Sequence, residues 1–172
     1  TKDLAIEAER RHKSNLPRGR GPNPFKKTFA EKQASKDNNA VSKGILSEGI
    51  ILAAFMAMGK CVLLPFGSIY RYDMVIDSLQ GFIRIQCKTG RLTDRNAIEF
   101  NVCSSNNRTG ERKYYKDEVD YFAIYCPQTN GIYIVPVHEI GKANGSLSLN
   151  KPRKKNTKYA PDYEIGKFTT SI

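Results

Sequence analysis

The stretch from Tyr70 to Arg91 (YRYDMVIDSLQGFIRIQCKTGR) constrains the fold more than any other part of the chain. Two short apolar runs flank a turn built from Asp77, Ser78 and Gly81, which predicts a β-hairpin. Asp73 stands at the start of the first strand, and Gln86 and Lys88 stand at the end of the second. Strand side chains repeat every second residue, so Gln86 and Lys88 share a face while Ile83, Ile85 and Cys87 take the other. An acid on one strand therefore converges with an amide and an amine on its neighbour at a sheet edge. Such a cluster is a poor core and a good holder of a metal ion and a phosphate.

The elements around this hairpin suit a single α/β domain. Residues 42–59 have the composition of a mostly buried helix, opened by the cap-type Ser42 and closed by Gly59. Its single acid, Glu48, either complements the helix dipole or is aimed at the Asp73–Lys88 cluster; both readings stay open. Short strands are expected over residues 61–65, 98–102, 121–126 and 132–136, the last two joined by a turn at Gln128–Gly131. Ser104 to Lys113 reads as a polar, donor-rich loop continued by Tyr114, Tyr115 and Lys116 as aromatic surface. His138, at an element boundary, reads as structural.

Charge is unevenly spread. The net charge is +11, with 10 Lys/Arg against 5 Asp/Glu in residues 1–40, 12 against 10 in 41–150, and 6 against 2 in 151–172. Two basic flanks around a nearly balanced centre point to a polyanionic partner, whose counterions each contact would release. The flanks set the expected organisation: a basic arm over 1–40, a core over 41–150 and a basic C-terminal tail over 151–172. The arm contains three prolines and two glycines between Leu16 and Asn23-Pro24, which exclude continuous regular structure there, and it serves equally as a groove-tracking arm or a linker. Candidate DNA contacts are Arg18, Arg20, Lys26 and Lys27 in the arm and Arg91 after the hairpin. Ser104, Ser105, Asn106, Asn107, Arg108, Arg112 and Lys113 in the polar loop join them, with Lys154 and Lys155 in the tail. No apolar run is expected to span a membrane. Cys61, Cys87, Cys103 and Cys126 lack the paired spacing of a zinc site and read as reduced thiols of an intracellular protein, cytoplasmic or at the nucleoid.

The order Glu48 helix, strand, Asp73 strand, Gln86-Cys87-Lys88 strand resembles the PD-(D/E)XK nuclease superfamily. The later runs Ile85–Arg91, Glu99–Asn107 and Asp120–Pro127 are similar to its branch of intron-associated homing endonucleases. The resemblance implies a restriction-endonuclease-like core, in which a central mixed sheet follows a leading buried helix. Gln86 departs from the family pattern, standing where most members carry Asp or Glu, and Asp77, the other acid available, abuts the turn at the wrong end of the strand. After Lys88, where the family crosses over through a helix, residues 98–102 read as extended.

Phosphodiester hydrolysis needs Lewis-acid help, an activated water and in-line geometry. The resemblance implies Mg²⁺, with Mn²⁺ able to substitute, on the Asp73 carboxylate, the Gln86 side-chain oxygen and the Cys87 backbone carbonyl, with Glu48 holding a metal-bound water or a second metal; Mg²⁺ takes few protein carboxylates. Lys88 would orient the attacking water and balance charge. Severing double-stranded DNA with one-strand sites implies a homodimer or higher homo-oligomer. A junction-resolving nuclease, a non-catalytic DNA-binding protein on a decayed core and a small RNA-binding protein are the competing readings.

Overall fold

The computed structural model describes residues 40–67, 69–105, 111–141, 144–152 and 154–169. The chain opens with helix α1 (Ala40–Ala57). Strands β1 (Cys61–Leu63), β2 (Met74–Ser78), β3 (Gly81–Thr89), β4 (Arg91–Leu92) and β5 (Ala97–Asn101) follow. Then come β6 (Cys103–Ser105), β7 (Arg112–Tyr114), β8 (Tyr121–Cys126), β9 (Gly131–Pro136) and β10 (Asn144–Ser148). The central sheet has the order β1-β2-β3-β8-β9. It is mixed: β3 and β8 run parallel, and every other neighbouring pair is antiparallel.

The hairpin predicted around Asp73 is present. Met74 pairs with Ile85 and Ser78 with Gly81, so the loop is Leu79-Gln80 and Asp77 and Ser78 belong to the strand rather than the turn. Gly81 takes φ +118°, a conformation open to glycine, and the Ser78 hydroxyl donates to the Gly81 carbonyl at 2.8 Å. The parallel β3–β8 connection runs through β4 to β7 instead of a helix. Strand β5 sits between β10 and β4 in a second, three-stranded sheet.

The central sheet is covered on both faces. On one, Ile51 and Phe55 of α1 pack on Met74, Ile76, Ile85, Cys87, Ala123 and Tyr125. On the other, Phe122, Ile124, Val135 and Cys126 meet Ile98, Phe100 and Leu147 of the second sheet. Burial on both sides explains why β8 reads as an unbroken apolar run, YFAIYC. At Gly90 the chain passes between the two sheets. A Cβ there would lie 2.8 Å from methyls of both Ile124 and Ile98, so only glycine fits.

One expectation needs correction. The helix is not mostly buried: only Ser47, Ile51 and Phe55 are, while Ile45, Leu46 and Met56 are each more than 60% exposed. Moreover, Ala40–Ala57 is long and apolar enough, by length and composition, to cross a membrane, with mean hydropathy 1.5. Its two glycines, two serines and Lys43 and Glu48 hide this from an inspection for unbroken apolar runs. Gly59 does close the helix, at φ +73°. All four cysteines are free, and Cys87, Cys103 and Cys126 are buried.

Within the stretch expected to be a basic tail, short 3-10 turns at Ala160–Tyr163 and Ile165–Lys167 pack against the body. Ala160 is fully buried, and Phe168 meets Phe55 and Tyr121 edge-on at 5.7 and 5.3 Å. The Tyr163 hydroxyl donates to Glu139 at 2.6 Å; burial and that carboxylate push its pKa up to about 12. His138 lies in a 3-10 turn beside this contact.

Candidate active site

The antiparallel ladder between β2 and β3 determines where Asp73 sits. Its N–H donates to the Ile85 carbonyl at 2.9 Å, one step beyond the strand proper. Past Ile85 the β2-side edge of β3 is open, and backbone direction alternates along a strand, so the N–H and C=O of Cys87 face that same edge. The Asp73 carboxylate fills the gap: its Oδ2 accepts the Cys87 N–H at 2.6 Å. The same oxygen accepts a hydrogen bond from Gln86 Nε2.

Gln86 here serves as a donor. Its amide nitrogen faces Asp73 and reaches the Cys87 carbonyl at 3.4 Å, so the side-chain oxygen is not the atom turned to the acid. A buried carboxylate recruits donors, and an amide offers two; ligation through oxygen requires the amide to turn over.

Helix α1 is pinned to the same end of β3. The Ser47 hydroxyl lies 2.7 Å from that of Thr89 and donates to the Lys43 carbonyl at 2.9 Å. Glu48, the next residue, is brought into the field of the site. Burial raises its carboxyl above the ordinary range, Asp73's charge raises it further, and Lys88 partly offsets both. Burial likewise raises Asp73, against the opposing pull of the Cys87 N–H, Lys88 and Gln86. The Cys87 thiol is pushed well up by burial and by the two acids. The site thus holds two acids raised mainly by burial beside one cation, Lys88. That donor set fits a divalent ion. Among the described residues no cluster of three or more His, Cys, Asp or Glu could hold a metal.

Lys88 is held by a residue that the sequence reading took for surface. Its Nζ donates to the Tyr115 hydroxyl at 3.0 Å and lies 4.5 Å from the ring centroid. Tyr115 is 5% exposed and packs edge-on against Phe122. Arg71 lies over the same ring at 4.1 Å and is fixed by Glu118 at 2.6 Å, the Ser104 hydroxyl at 2.7 Å and the Tyr114 carbonyl. Arg71 and Tyr115 were both missed. The available signal was Arg71 two residues before the acid. For Tyr115 there was none, since Tyr114 beside it is exposed. Arg84, on the Gln86 face, is occupied structurally: it clasps Asp120 through Nε, Nη2 and its own N–H.

Of the expected DNA contacts, Arg91, Arg112, Lys113, Lys154 and Lys155 are exposed, Arg91 lying 3.8 Å from Glu99. The two ends of the expected polar loop are short paired strands, Ser104 facing Lys113 and Ser105 facing Arg112. The Ser104 hydroxyl accepts from Arg71 Nη1 at 2.7 Å and keeps its own O–H as a donor. Arg18, Arg20, Lys26, Lys27, Asn106, Asn107 and Arg108 lie outside the described residues.

A family model described as PD-(D/E)XK endonuclease matches residues 38–166, most of the chain. The chain belongs to the PD-(D/E)XK endonuclease family. Its fold is restriction-endonuclease-like, similar to that of a bacterial homing endonuclease, I-Ssp6803I. The two share 20% sequence identity with a TM-score of 0.61, over 75% of this chain and 90% of that one. No curated protein matches the chain in sequence.

Proposed function

We propose that this PD-(D/E)XK protein is a sequence-specific, homing-type DNA endonuclease that hydrolyses phosphodiester bonds with Mg²⁺, Mn²⁺ substituting. The observation carrying the reading is the Asp73 carboxylate on the Cys87 N–H beside the tyrosine-held Lys88 at one end of β3, with Glu48 in the same electrostatic field. Asp73, the Cys87 carbonyl and Glu48 would hold the ion, with Gln86 joining once its amide turns. When bound, the ion supplies Lewis-acid stabilisation of the phosphate oxygens. Lys88 orients the attacking water and offsets the negative charge that grows on the phosphate. Tyr115 and Arg71 position Lys88, while Ser47 and Thr89 keep Glu48 at the site.

Double-stranded DNA is the substrate, contacted by the exposed Arg91, Arg112, Lys113, Lys154 and Lys155 and by the arm, loop and C-terminal candidates named from sequence. A homo-oligomer supplies the second site for the second strand, and the place of action is intracellular, cytoplasmic or at the nucleoid. The test is incubation with mixed plasmid and genomic DNA, with and without Mg²⁺, beside Asp73→Ala and Lys88→Ala. Discrete fragments requiring the metal, Asp73 and Lys88, with Lys88→Ala still binding DNA, support the reading. Cutting confined to four-way junctions points to a resolving enzyme. Salt-sensitive binding without cutting points to a decayed core, which the Gln86–Asp73 hydrogen bond favours.

A further inference from the structure

The guanidinium of Arg71 makes more contacts than an ion pair needs. Its Nε meets Glu118 at 2.6 Å, and a half-exposed pair of this kind contributes little by itself. The remaining hydrogen bonds all go to one element. Nη1 donates to the Ser104 hydroxyl of β6 at 2.7 Å, and Nη2 donates to the Lys113 and Tyr114 carbonyls of β7 at 3.3 and 3.1 Å. Ser104 pairs with Lys113 and Cys103 with Tyr114, so one planar fork ties both strands together at that end. The same guanidinium lies over the Tyr115 ring at 4.1 Å, and the hydroxyl of that ring accepts from Lys88 Nζ at 3.0 Å.

Strands β6 and β7 form a two-stranded sheet of their own, and such a pair is marginal without outside support. Arg71 supplies that support from the lead into β2, two residues before Asp73. Arg112, Lys113 and Tyr114 on β7 are all exposed, two of them cations. Among the described residues Lys88 forms no ion pair with Asp73 or Glu48, so its position rests on Tyr115.

We propose that the β6–β7 pair sets the position of Lys88, with Arg71 as the positioning residue that links the two. A duplex that seats this pair is then cut faster and not only bound more tightly. Arg112 and Lys113 take the phosphates. Movement of the strands shifts the hydroxyl and carbonyls that fix the guanidinium, the guanidinium shifts the ring beneath it, and the ring carries the acceptor of Lys88. Contacts made far from the scissile bond are thereby used in the transition state, which places discrimination between targets in kcat. The inference deepens the nuclease reading and rests on it for cleavage alone.

The test is competitive acetylation of the full chain without metal or DNA, reading Lys88 against the exposed Lys151 by peptide mass spectrometry across pH. Tyr115→Phe, which frees Lys88 directly, is expected to raise its limiting rate about tenfold and sets the ceiling. Ser104→Val removes an acceptor of Arg71 without touching Lys88. It is expected to raise the Lys88 rate about threefold, and to add nothing in an Arg71→Lys background, where the fork is gone. A wild-type Lys88 rate in Ser104→Val overturns the proposal. So does an equal effect of Ser104→Val with and without Arg71→Lys, because the strands would then act around the guanidinium. Glu118→Gln loosens the same guanidinium and takes the place of Arg71→Lys in the cycle should that variant not fold. In single-turnover cleavage of plasmid DNA with Mg²⁺, Ser104→Val and Arg71→Lys should each lower kcat about fivefold, with KM and melting temperature unchanged. A rise in KM alone, or a loss that tracks melting temperature, makes Arg71 a structural clamp and overturns the proposal. The acetylation cycle needs no cutting, so a wild type that cleaves nothing sinks the nuclease reading while the cycle still decides the coupling.

Discussion

The Lys88–Tyr115 contact predicts a kinetic signature for Tyr115→Phe. The substitution removes one hydroxyl, the acceptor of the 3.0 Å hydrogen bond from Lys88 Nζ, and keeps the ring. A hydrogen bond involving a charged group contributes about 1.5–3 kcal/mol, and half-buried Lys88 regains part of that from water, so the lower figure applies. The barrier then rises by about 1.4 kcal/mol, a tenfold loss of kcat. Ring packing on Phe122 at 5.6 Å and the cation contacts of Lys88 and Arg71 survive, so stability should change by less than about 1 kcal/mol. The assay is single-turnover cleavage of a target duplex beside thermal denaturation, reading kcat and KM separately. Loss confined to kcat, with unchanged melting, is expected of a residue that positions the lysine. A wild-type kcat would show that the hydroxyl does not hold Lys88 in the working state, and a rise in KM alone would make Tyr115 a DNA contact instead.

The remaining predictions address the metal, the core and pH. Millimolar Mg²⁺ at about ten times its Kd should stabilise the wild type by about 1.4 kcal/mol, a rise of roughly 3–6 °C in Tm, and leave Asp73→Asn unmoved in the same scan. Without metal, Asp73→Asn should melt no lower than wild type near neutral pH. The folded-state pKa of Asp73 is raised, so its cost to stability is absent below the unfolded value and grows as pH rises through the folded one. Gly145→Ala should destabilise by about 2 kcal/mol in chemical denaturation, because its Cβ would overlap the buried ring of Phe100. Burial raises the Asp120 carboxyl, but its bonds to Arg84 together outweigh this and leave it below the ordinary 3.8. Its contribution is thus complete above its unfolded pKa and lost as pH falls through the folded one, so Asp120→Asn should flatten the acid limb of a Tm–pH profile.

What was legible in the sequence was whatever follows from strand periodicity. The alternation Ile83, Ile85, Cys87 against Arg84, Gln86, Lys88 set the two faces of β3, and the unbroken YFAIYC run marked a buried strand of the central sheet. The packing of Glu48's helix was legible only on one side. Composition shows that α1 is apolar, but it cannot show that the sheet covers a single stripe, because the width of the cover belongs to tertiary structure. Tyr115 failed for a related reason. Tyr114 and Tyr115 are chemically identical, and which of them turns inward is decided by the pairing of β7 with β6, which ends at Tyr114 opposite Cys103. The turn of the Gln86 amide is likewise outside the sequence, which supplies an amide without saying which end meets the acid. The open edge of β3 decides that. A strand whose neighbour stops at Ile85 leaves the Cys87 N–H unpaired, Asp73 answers it, and the amide then donates to the same carboxylate. The placement of Asp73 is thus a consequence of where β2 begins, and that same missing strand end leaves the Cys87 carbonyl to the Gln86 amide alongside it.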